Sequence, residues 1–420
     1  TVDLGPNGFV DNGTDTRTLA EELGLAAELR RAAPAGSHRY LVRSRRMDPL
    51  PSTVAGVLTT PLLPPTAKLR LLAEPFAGPP PAGDETVLAF AARHFGPVAA
   101  RRLAIPAVHG VTAGEAGEIS VDALLPRLRQ LEAEHPRLLT HLLRLRWRAW
   151  RAGGPPSPRL TSFAGAGMQR LVDALVTAAG TRLRLRSPVR ALDRDDDGSW
   201  RLLLADGEPV TSRQVVLAVP AHAAAPLLAP WHPGAADHLA AVRYADIRVT
   251  ALGYRAADLG VPADGFGFLT CPAEPAGRRR AAWQARILGA VFTTAIFPDQ
   301  GPAGHVLLRA FAGGTADPGF ADLPRDAAVE TVRRDLGTIL RIGTAPRFAH
   351  DHVWRRAIPQ YAPRHRARMD EVSGAVAALS GLHVAGSAYH GVAVNDCVRD
   401  GRRVAAQAVA RVPAAQRFLT

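Results

Sequence analysis

The chain has 420 residues, of which 47% are hydrophobic, so it can bury a large core and hold two or three domains. Its formal charge is +13, and nearly all of its basic residues are arginine because Lys68 is the only lysine. The arginines are scattered and accompany no zinc-finger or RNA-binding pattern, which argues against nucleic acid as a partner.

The cysteines and the N-terminal residues indicate the cellular compartment of the protein. Cys271 and Cys397 belong to no CxxC pair, so we expect no disulfide framework and no metal site. No apolar run reaches the roughly 18 to 20 residues of a membrane span, and the first residues lack the features of a signal peptide. The sequence also begins without Met. We therefore expect a cytoplasmic protein that is a fragment or a processed form.

The first 50 residues predict a strand, a helix and a hairpin. TVDLGPNGFVDN has the alternation of a strand that runs into a tight glycine loop. TDTRTLAEELGLAAELRR has helical spacing after a Thr or Asp cap. HRYLVRSRRMDPLP predicts a short hairpin that ends at a proline.

The segment from about 58 to 153 predicts amphipathic helices interrupted by prolines. Within it, HLLRLRWRAWR places Leu143, Trp147 and Trp150 on one helical face, beside the arginines Arg144, Arg148 and Arg151. Such a face suits a membrane interface, although a helix that packs on its own protein has the same pattern. GGPPSP, at 153–158, then predicts a linker.

The second half predicts mixed structure. SFAGAGMQRLVDALVTAAG is typical of a glycine turn that enters a helix, and RLRLRSPVRALD, SWRLLLADG and RQVVLAVP predict three short strands. Residues 245–315 contain further strand patterns in DIRVTALGY, ILGAVFTTAIF and HVLLRAFAGG. A helix in DAAVETVRRDLGTIL follows them.

The last segment, GLHVAGSAYHGVAVNDCVRDGRRVAAQAVA, predicts a buried strand, a glycine loop and a long helix capped by Asn395 or Asp396. A helix N-terminus with exposed amides suits a phosphate or an electron-rich ring. Joints of this kind are also common in ordinary packing, so the pattern alone leaves both interpretations open.

Four motifs, in order along the chain, resemble the protoporphyrinogen oxidase family of FAD-dependent, amine-oxidase-like flavoproteins. They are VDLGPNGF, SFAGAGMQRLVDAL, RRAIPQY and GSAYHGVAVNDCVRDGRR. The resemblance implies an α/β plus α+β fold, with a split, Rossmann-like FAD-binding domain, a mixed-sheet substrate domain and a helical, membrane-associating domain. It places the FAD-binding domain at 1–45, 161–225 and 351–420, the helical domain at 46–160 and the substrate-binding domain at 226–350.

The same resemblance implies roles for particular residues. Without it, the sequence would indicate a simple turn for Gly5 and Gly8, core positions for Val189, Leu269 and Phe297, and a structural role for His109. For FAD, it implies backbone contact by the loop that contains Gly5, Pro6, Asn7 and Gly8. It also implies main-chain contact between Val189 and the adenine. The flavin ring system would be contacted by the segment that contains Gly386, Val392, Ala393 and Val394. For the substrate, it implies His109 and Gly110 near the flavin and Leu269 and Phe297 as apolar walls. No catalytic side chain is required, because the cofactor supplies the chemistry.

The implied reaction is oxidation of protoporphyrinogen IX to protoporphyrin IX in heme biosynthesis, with hydride transfer to the flavin and molecular oxygen as the acceptor that yields hydrogen peroxide. Coproporphyrinogen III oxidation by the same fold is one alternative, and a catalytically dead porphyrin-binding fragment is another. A carotenoid desaturase fits RRAIPQY and AVNDC less well. We also consider peripheral contact with the inner face of the cell membrane. A homodimer is a further option, and no motif in the sequence indicates the oligomeric state.

Two departures from the family pattern affect these expectations. In LPSTVAG, Ala55 stands where the resemblance implies an arginine that pairs with a substrate propionate. The family also opens with a GxGxxG strand-turn-helix unit of roughly 30 residues or more, which the sequence does not contain before Thr1. We therefore expect the chain as given to bind FAD poorly or not at all.

Overall fold

A computed structural model gives the structure of the protein and describes residues 2–11, 13–51, 53–74, 77–135, 137–151, 159–272 and 283–411. Its contacts divide the chain into two compact units. Unit 1 contains Thr1–Gly8, Leu29–Met168 and Tyr244–Pro363, and unit 2 contains Phe9–Glu28, Gln169–Arg243 and Arg364–Thr420. Each unit thus gathers segments that are far apart in sequence. The linker predicted at 153–158 lies outside the described residues.

The described strands follow in chain order. They are β1 (Phe9–Val10), β2 (Leu29–Arg31), β3 (Arg39–Arg43), β4 (Arg46–Pro49), β5 (Leu160–Phe163), β6 (Val189–Arg194), β7 (Trp200–Leu204), β8 (Pro209–Ser212), β9 (Val215–Leu217), β10 (Tyr244–Arg255), β11 (Gly267–Thr270), β12 (Ile287–Phe292), β13 (His305–Gly313), β14 (Phe348–Pro359) and β15 (Leu382–Val384).

The described α-helices follow in the same order. They are α1 (Asp15–Glu22), α2 (Val54–Thr59), α3 (Pro65–Leu72), α4 (Val87–Phe95), α5 (Pro97–Ala99), α6 (Ile105–Thr112), α7 (Val121–Leu124), α8 (Pro126–Glu134), α9 (Leu138–Arg151), α10 (Gln169–Ala179), α11 (Ala221–Leu228), α12 (Pro233–Ala240), α13 (Thr293–Ile296), α14 (Arg325–Leu340), α15 (His365–Ala378) and α16 (Val394–Ala410).

A seven-stranded mixed sheet, ordered β14-β10-β13-β12-β11-β3-β4, forms the centre of unit 1. Its pairs are antiparallel except for β11 and β3, which run parallel. Helix α14 packs against one face, because Val332, Leu336 and Ile339 recur at helical spacing and are fully buried. These side chains meet Leu308 and Ala310 of β13 in the largest core cluster of the unit.

The opposite face of this sheet, here called the site face, carries the residues that alternate with that core. Because successive strand residues point to opposite sides, two rows of paired positions share the site face. One row contains Leu269, Gly289 and Phe311, and the next contains Gly267, Val291 and Arg309. We define these as row 1 and row 2.

The helical part of unit 1 agrees with the periodicity of residues 58 to 153. Prolines lie in the first turns of α3, α5, α6 and α8, where a missing backbone N–H costs little. A buried polar network joins α4 and α8 to Glu74, two residues after α3: Nδ1 of His94 lies 3.0 Å from Glu74, and its Nε2 lies 2.9 Å from Glu132. Arg93 donates to Glu132 from the other side.

Unit 2 contains the antiparallel strands β6, β7 and β8 and the parallel pair β9 and β15. Helix α1 packs on α16, and α12 packs on both α11 and α15. The strand predicted over RLRLRSPVRALD is too long, because pairing begins only at Val189 and Arg186 adopts a left-handed φ of 56°.

The predicted order of the opening segment was also wrong. The strand is the short β1, and it follows the glycine loop. Pro6 offers no N–H to a ladder. In addition, the carbonyl of Leu4 accepts a bond from the side chain of Trp354. Residues 2–8 therefore form no strand.

Candidate functional site

The start of unit 1 is held by polar contacts at Asp3 and Leu4. The Asp3 carboxylate accepts the N–H of Met168 at 3.0 Å, and Nε1 of Trp354 donates to the Leu4 carbonyl at 2.9 Å. The guanidinium of Arg309 donates to the Asp3 carbonyl. These contacts anchor the chain immediately before the predicted cofactor loop, Gly5 to Gly8.

The four loop residues differ in their surroundings. A Cβ on Gly8 would lie 2.5 Å from the carbonyl oxygen of Thr161, whereas a Cβ on Gly5 would meet nothing within 4 Å. Gly5 and Pro6 are exposed, and the buried side chain of Asn7 has no hydrogen-bond partner for its amide nitrogen. The loop thus presents open backbone and a buried amide donor that still needs an acceptor.

In unit 2, β15 leads into a loop that two glycines shape. Gly386 and Gly391 have φ of 127° and 134°, a region that side-chain-bearing residues rarely adopt. The buried carboxylate of Asp400 accepts the N–H of Gly386 at 3.0 Å and bonds from His390 and Arg403. Although burial raises a carboxyl pKa, these bonds hold the pKa of Asp400 at about 2. A permanent negative charge therefore fixes the loop.

The predicted cap of the last helix was wrong. Helix α16 begins at Val394, and its N-cap is Ala393, whose side chain makes no capping bond. Asn395 lies inside the first turn, where its side-chain amide donates to Val10 and accepts from Thr16 instead. The N-terminus of α16 consequently has no side-chain cap, and Val392 and Ala393 precede it at half-buried and exposed positions.

Val189, the remaining predicted cofactor residue, begins β6 in unit 2. Strand β6 is an edge strand of its three-stranded sheet, and its pairing with β7 is interrupted between Val189 and Ala191. An edge strand has backbone N–H and C=O groups that its own sheet does not use. The position is compatible with main-chain contact to a ligand.

The structure brings three of the predicted substrate residues together in unit 1. Gly110 lies on α6, which packs over β11 and β12, and a Cβ there would come within 2.8 Å of Leu269. A Cβ on Gly289 would lie 3.0 Å from the same leucine side chain. Glycines on both sides thus make room for Leu269. His109 lies one residue before Gly110, and its buried Nε2 has no hydrogen-bond partner, with Glu115 3.5 Å away.

Phe297 is placed apart from this group. It is fully buried with Ala32 and Ile296, in a cluster against which Val291 of row 2 packs. It approaches the site face at Val291, so its position supports a packing role as well as a wall.

Gln360, in the IPQY stretch, fixes the end of α6, a role that the sequence did not predict. Its Nε2 donates to the Thr112 carbonyl at 2.9 Å, and a Cβ on Gly114 would lie 1.9 Å from its Oε1. Asp400 and Gly289 were likewise missed, because nothing in a single sequence distinguishes them from other acids and glycines.

Comparisons with known proteins identify the class. The model of the flavin containing amine oxidoreductases matches residues 1–409, so the chain belongs to that family. It is a flavin-dependent oxidoreductase, and its cofactor is FAD. In unit 1, the open backbone at Gly5 and the Asn7 amide without an acceptor suit such a cofactor. In unit 2, taken by itself, the start of α16 without a side-chain cap does so too.

Among named relatives, the chain is 29% identical to protoporphyrinogen oxidase of Bos taurus, covering 98% of this chain and 88% of that protein. It is also 29% identical to coproporphyrinogen III oxidase of Propionibacterium freudenreichii subsp. freudenreichii, covering 97% and 82%. The predicted resemblance to the protoporphyrinogen oxidases is thereby confirmed.

A solved structure with the name "Putative protoporphyrinogen oxidase", from Exiguobacterium sp. 255-15, matches with a TM-score of 0.80 and 21% identity, covering 97% of this chain and 87% of that one. Cyclohexylamine oxidase from Brevibacterium oxydans IH-35A matches with a TM-score of 0.65 and 15% identity, covering 97% and 87%. The predicted fold class is confirmed by these matches. In the described part of the chain, no helix is long and apolar enough to cross a membrane.

Proposed function

We propose that this chain oxidises protoporphyrinogen IX to protoporphyrin IX with FAD and molecular oxygen. The observation that carries the proposal is row 1 of the site face, where Leu269 lies between Gly110 and Gly289 beside Phe311. Although α6 packs over β11, Leu269 and Phe311 stay half-buried, so an apolar edge with short side chains next to Leu269 is left for a flat macrocycle. The names of the relatives supply the substrate class.

Each side chain then has a positioning task. Leu269, with Phe297 behind Val291, excludes water from the macrocycle, and the His109 Nε2 is free to donate to or accept from a polar group of the substrate. Backbone of Gly5 to Gly8, the main chain of Val189, and the segment Gly386 with Val392 to Val394 would hold FAD. Bound FAD supplies the two-electron acceptor, which oxygen restores with release of hydrogen peroxide.

The overall stoichiometry requires no catalytic acid or base from the chain. Removal of six electrons and six protons from the porphyrinogen consumes three molecules of oxygen and yields three of hydrogen peroxide. Proximity and orientation are then the contributions of the protein. The described residues also contain no group of three or more His, Cys, Asp or Glu that could hold a metal ion.

Coproporphyrinogen III is the second candidate substrate, because one relative of equal identity bears that name. The two candidates differ in carboxylate number: protoporphyrinogen carries two and coproporphyrinogen carries four. Row 1 contains no charged residue that distinguishes them.

Porphyrin fluorescence, recorded with FAD and both porphyrinogens in parallel, tests the proposal on the chain with a GxGxxG unit added before Thr1, and the chain as given is the control. We expect faster turnover of protoporphyrinogen and three equivalents of peroxide per porphyrin. Faster turnover of coproporphyrinogen would assign the second candidate. No turnover of either, in protein that retains FAD, would leave a porphyrin-binding protein without this activity.

A further inference from the structure

Arg309 is a buried cation on the site face of unit 1. It lies in row 2, paired with Val291, and only 1% of its surface is exposed to solvent. Its guanidinium carbon lies 5.4 Å from the ring centre of Phe311, which confirms that both side chains occupy the same side of β13. Arg309 is therefore next to the apolar surface on which the proposed substrate would lie.

The guanidinium forms no direct ion pair among the described residues, and the Asp3 carboxylate acts on it only at longer range. Nη1 donates to the Asp3 carbonyl, and Nε is buried without a partner. The carboxylate of Asp3 is directed to the N–H of Met168. Burial lowers the pKa of Arg309 to about 10, with Asp3 acting in the opposite direction, so the group stays charged near neutral pH. A buried charge without a direct ion pair is costly unless it meets an anion.

Further polar atoms without partners lie in helix α13, which packs on the strand that carries Arg309, and in the turn after it. Helix α13 packs on β13, and the hydroxyl of Thr294 accepts the N–H of Leu307, two residues before Arg309. In that segment the Thr293 hydroxyl and both amide atoms of Gln300 are buried without partners. Such groups are almost always satisfied in a complete structure, so this region also points to a polar ligand.

Distances along the sheet agree with a substrate that spans both rows. Arg309 lies two strands away from Leu269 across the sheet and one row, or two residues, along it. With a strand spacing of about 4.8 Å and a rise of about 3.4 Å per residue, their Cα atoms are roughly 12 Å apart. A ligand that rests on Leu269 can thus extend an acidic arm to Arg309.

We propose that Arg309 binds a carboxylate of the substrate and so contributes to the choice among porphyrinogens. The Nε–H and a neighbouring Nη–H of a guanidinium can donate two parallel hydrogen bonds to one carboxylate, and lysine does not reproduce this geometry. The inference rests on the proposed function, because it takes the porphyrinogen as the ligand. A cofactor phosphate has the same anionic chemistry, and the experiment distinguishes the two.

The test compares wild type with Arg309→Gln and Arg309→Lys on protoporphyrinogen and on its dimethyl ester, which lacks the charged groups. We expect KM for the acid to rise about tenfold or more in Arg309→Gln, as for a lost charge-assisted pair, and KM for the ester to stay unchanged. Arg309→Lys should recover only part of the affinity. The melting temperature of the substrate-free protein should change little, because relief of the buried charge offsets the lost hydrogen bond to the Asp3 carbonyl.

Arg248→Gln is the matched control, since Arg248 is a second buried arginine of the same sheet and pairs with Asp351 on the opposite face. It should lower the melting temperature and leave the ratio of acid to ester KM unchanged. Equal losses for acid and ester in Arg309→Gln, or a loss of bound FAD measured by its absorbance, would overturn the assignment while the proposed function stands. A wild type that oxidises no porphyrinogen would overturn the proposed function itself.

Discussion

At the scale of single residues, Gly5 and Gly8 belong to one loop and have opposite surroundings. Gly8 has backbone of Thr161 and the side chain of Leu160 against it, whereas the space beside Gly5 is open in the protein. The need for glycine at position 8 is therefore internal to the fold. At position 5, glycine is needed only if a ligand approaches.

This difference gives the first prediction. Gly8→Ala should lower stability by about 1 to 3 kcal/mol, because its Cβ would lie 2.5 Å from a carbonyl oxygen that cannot rotate away. Gly5→Ala should leave the melting temperature of the FAD-free protein unchanged and weaken FAD binding, measured by flavin fluorescence titration. Unaltered FAD affinity in Gly5→Ala would remove Gly5 from the proposed cofactor contacts.

At the scale of elements, the strand-loop-helix of β15 and α16 depends on Asp400. Its carboxylate joins the loop at Gly386 to the helix through the bonds from His390 and Arg403. The sequence predicted the strand, the glycine loop and the long helix from their periodicity. It did not predict the anchor, because a buried aspartate in DCVRDGRR has the same local pattern as an exposed one.

Asp400→Asn should lower stability by about 2 kcal/mol near neutral pH, since the pKa of this group falls from 3.8 to about 2 on folding. A depressed carboxyl pKa stabilises the fold above the unfolded value and loses this effect as pH falls toward 2. Urea unfolding of the variant and wild type should therefore differ at pH 7 and converge in acid. The exposed Asp370→Asn is the control, and an equal gap at all pH values would contradict the charge argument.

The strands show where prediction from sequence ends. Strands β10 and β13 and helix α14 follow from apolar patterns, because they are buried. Strand β14 was not predicted, because FAHDHVWRRAIP lies at the edge of the sheet and most of its residues are exposed or half-buried. Arg309 was included in an apolar strand without a role, since a sequence does not show whether a buried charge has a partner.

At the scale of the whole molecule, the net charge of +13 and helix α9 bear on the membrane hypothesis. Trp147 is 51% exposed, and the guanidinium carbon of Arg151 lies 4.0 Å from its ring centre. Arg144 and Arg148 are exposed as well. The side chains of Ala55, Leu143 and Trp150 lie outside the described part of the structure. Of the predicted apolar face, the structure therefore describes the side chain of Trp147.

Co-sedimentation with vesicles of phosphatidylserine and phosphatidylcholine measures this contact. We expect the protein to pellet at low salt and Trp147→Ala to weaken binding about tenfold to a hundredfold, because burial of a large apolar side chain contributes roughly 1.5 to 3 kcal/mol. Phe348→Ala, another exposed aromatic of unit 1, should change nothing. A wild type that stays in the supernatant at low salt would refute membrane contact.

The parallel pairing of β3 with β11 also determines when unit 1 can form during translation. Tyr40 pairs with Phe268, so β3 and its hairpin partner have left the ribosome long before β11 is made. At about 5 to 20 residues per second, the interval is on the order of 10 to 45 s. During that time the nascent hairpin exposes an unpaired edge, which chaperones bind and other chains can invade. Yield of soluble protein should thus depend on translation speed and chaperone supply, even when the finished fold is stable.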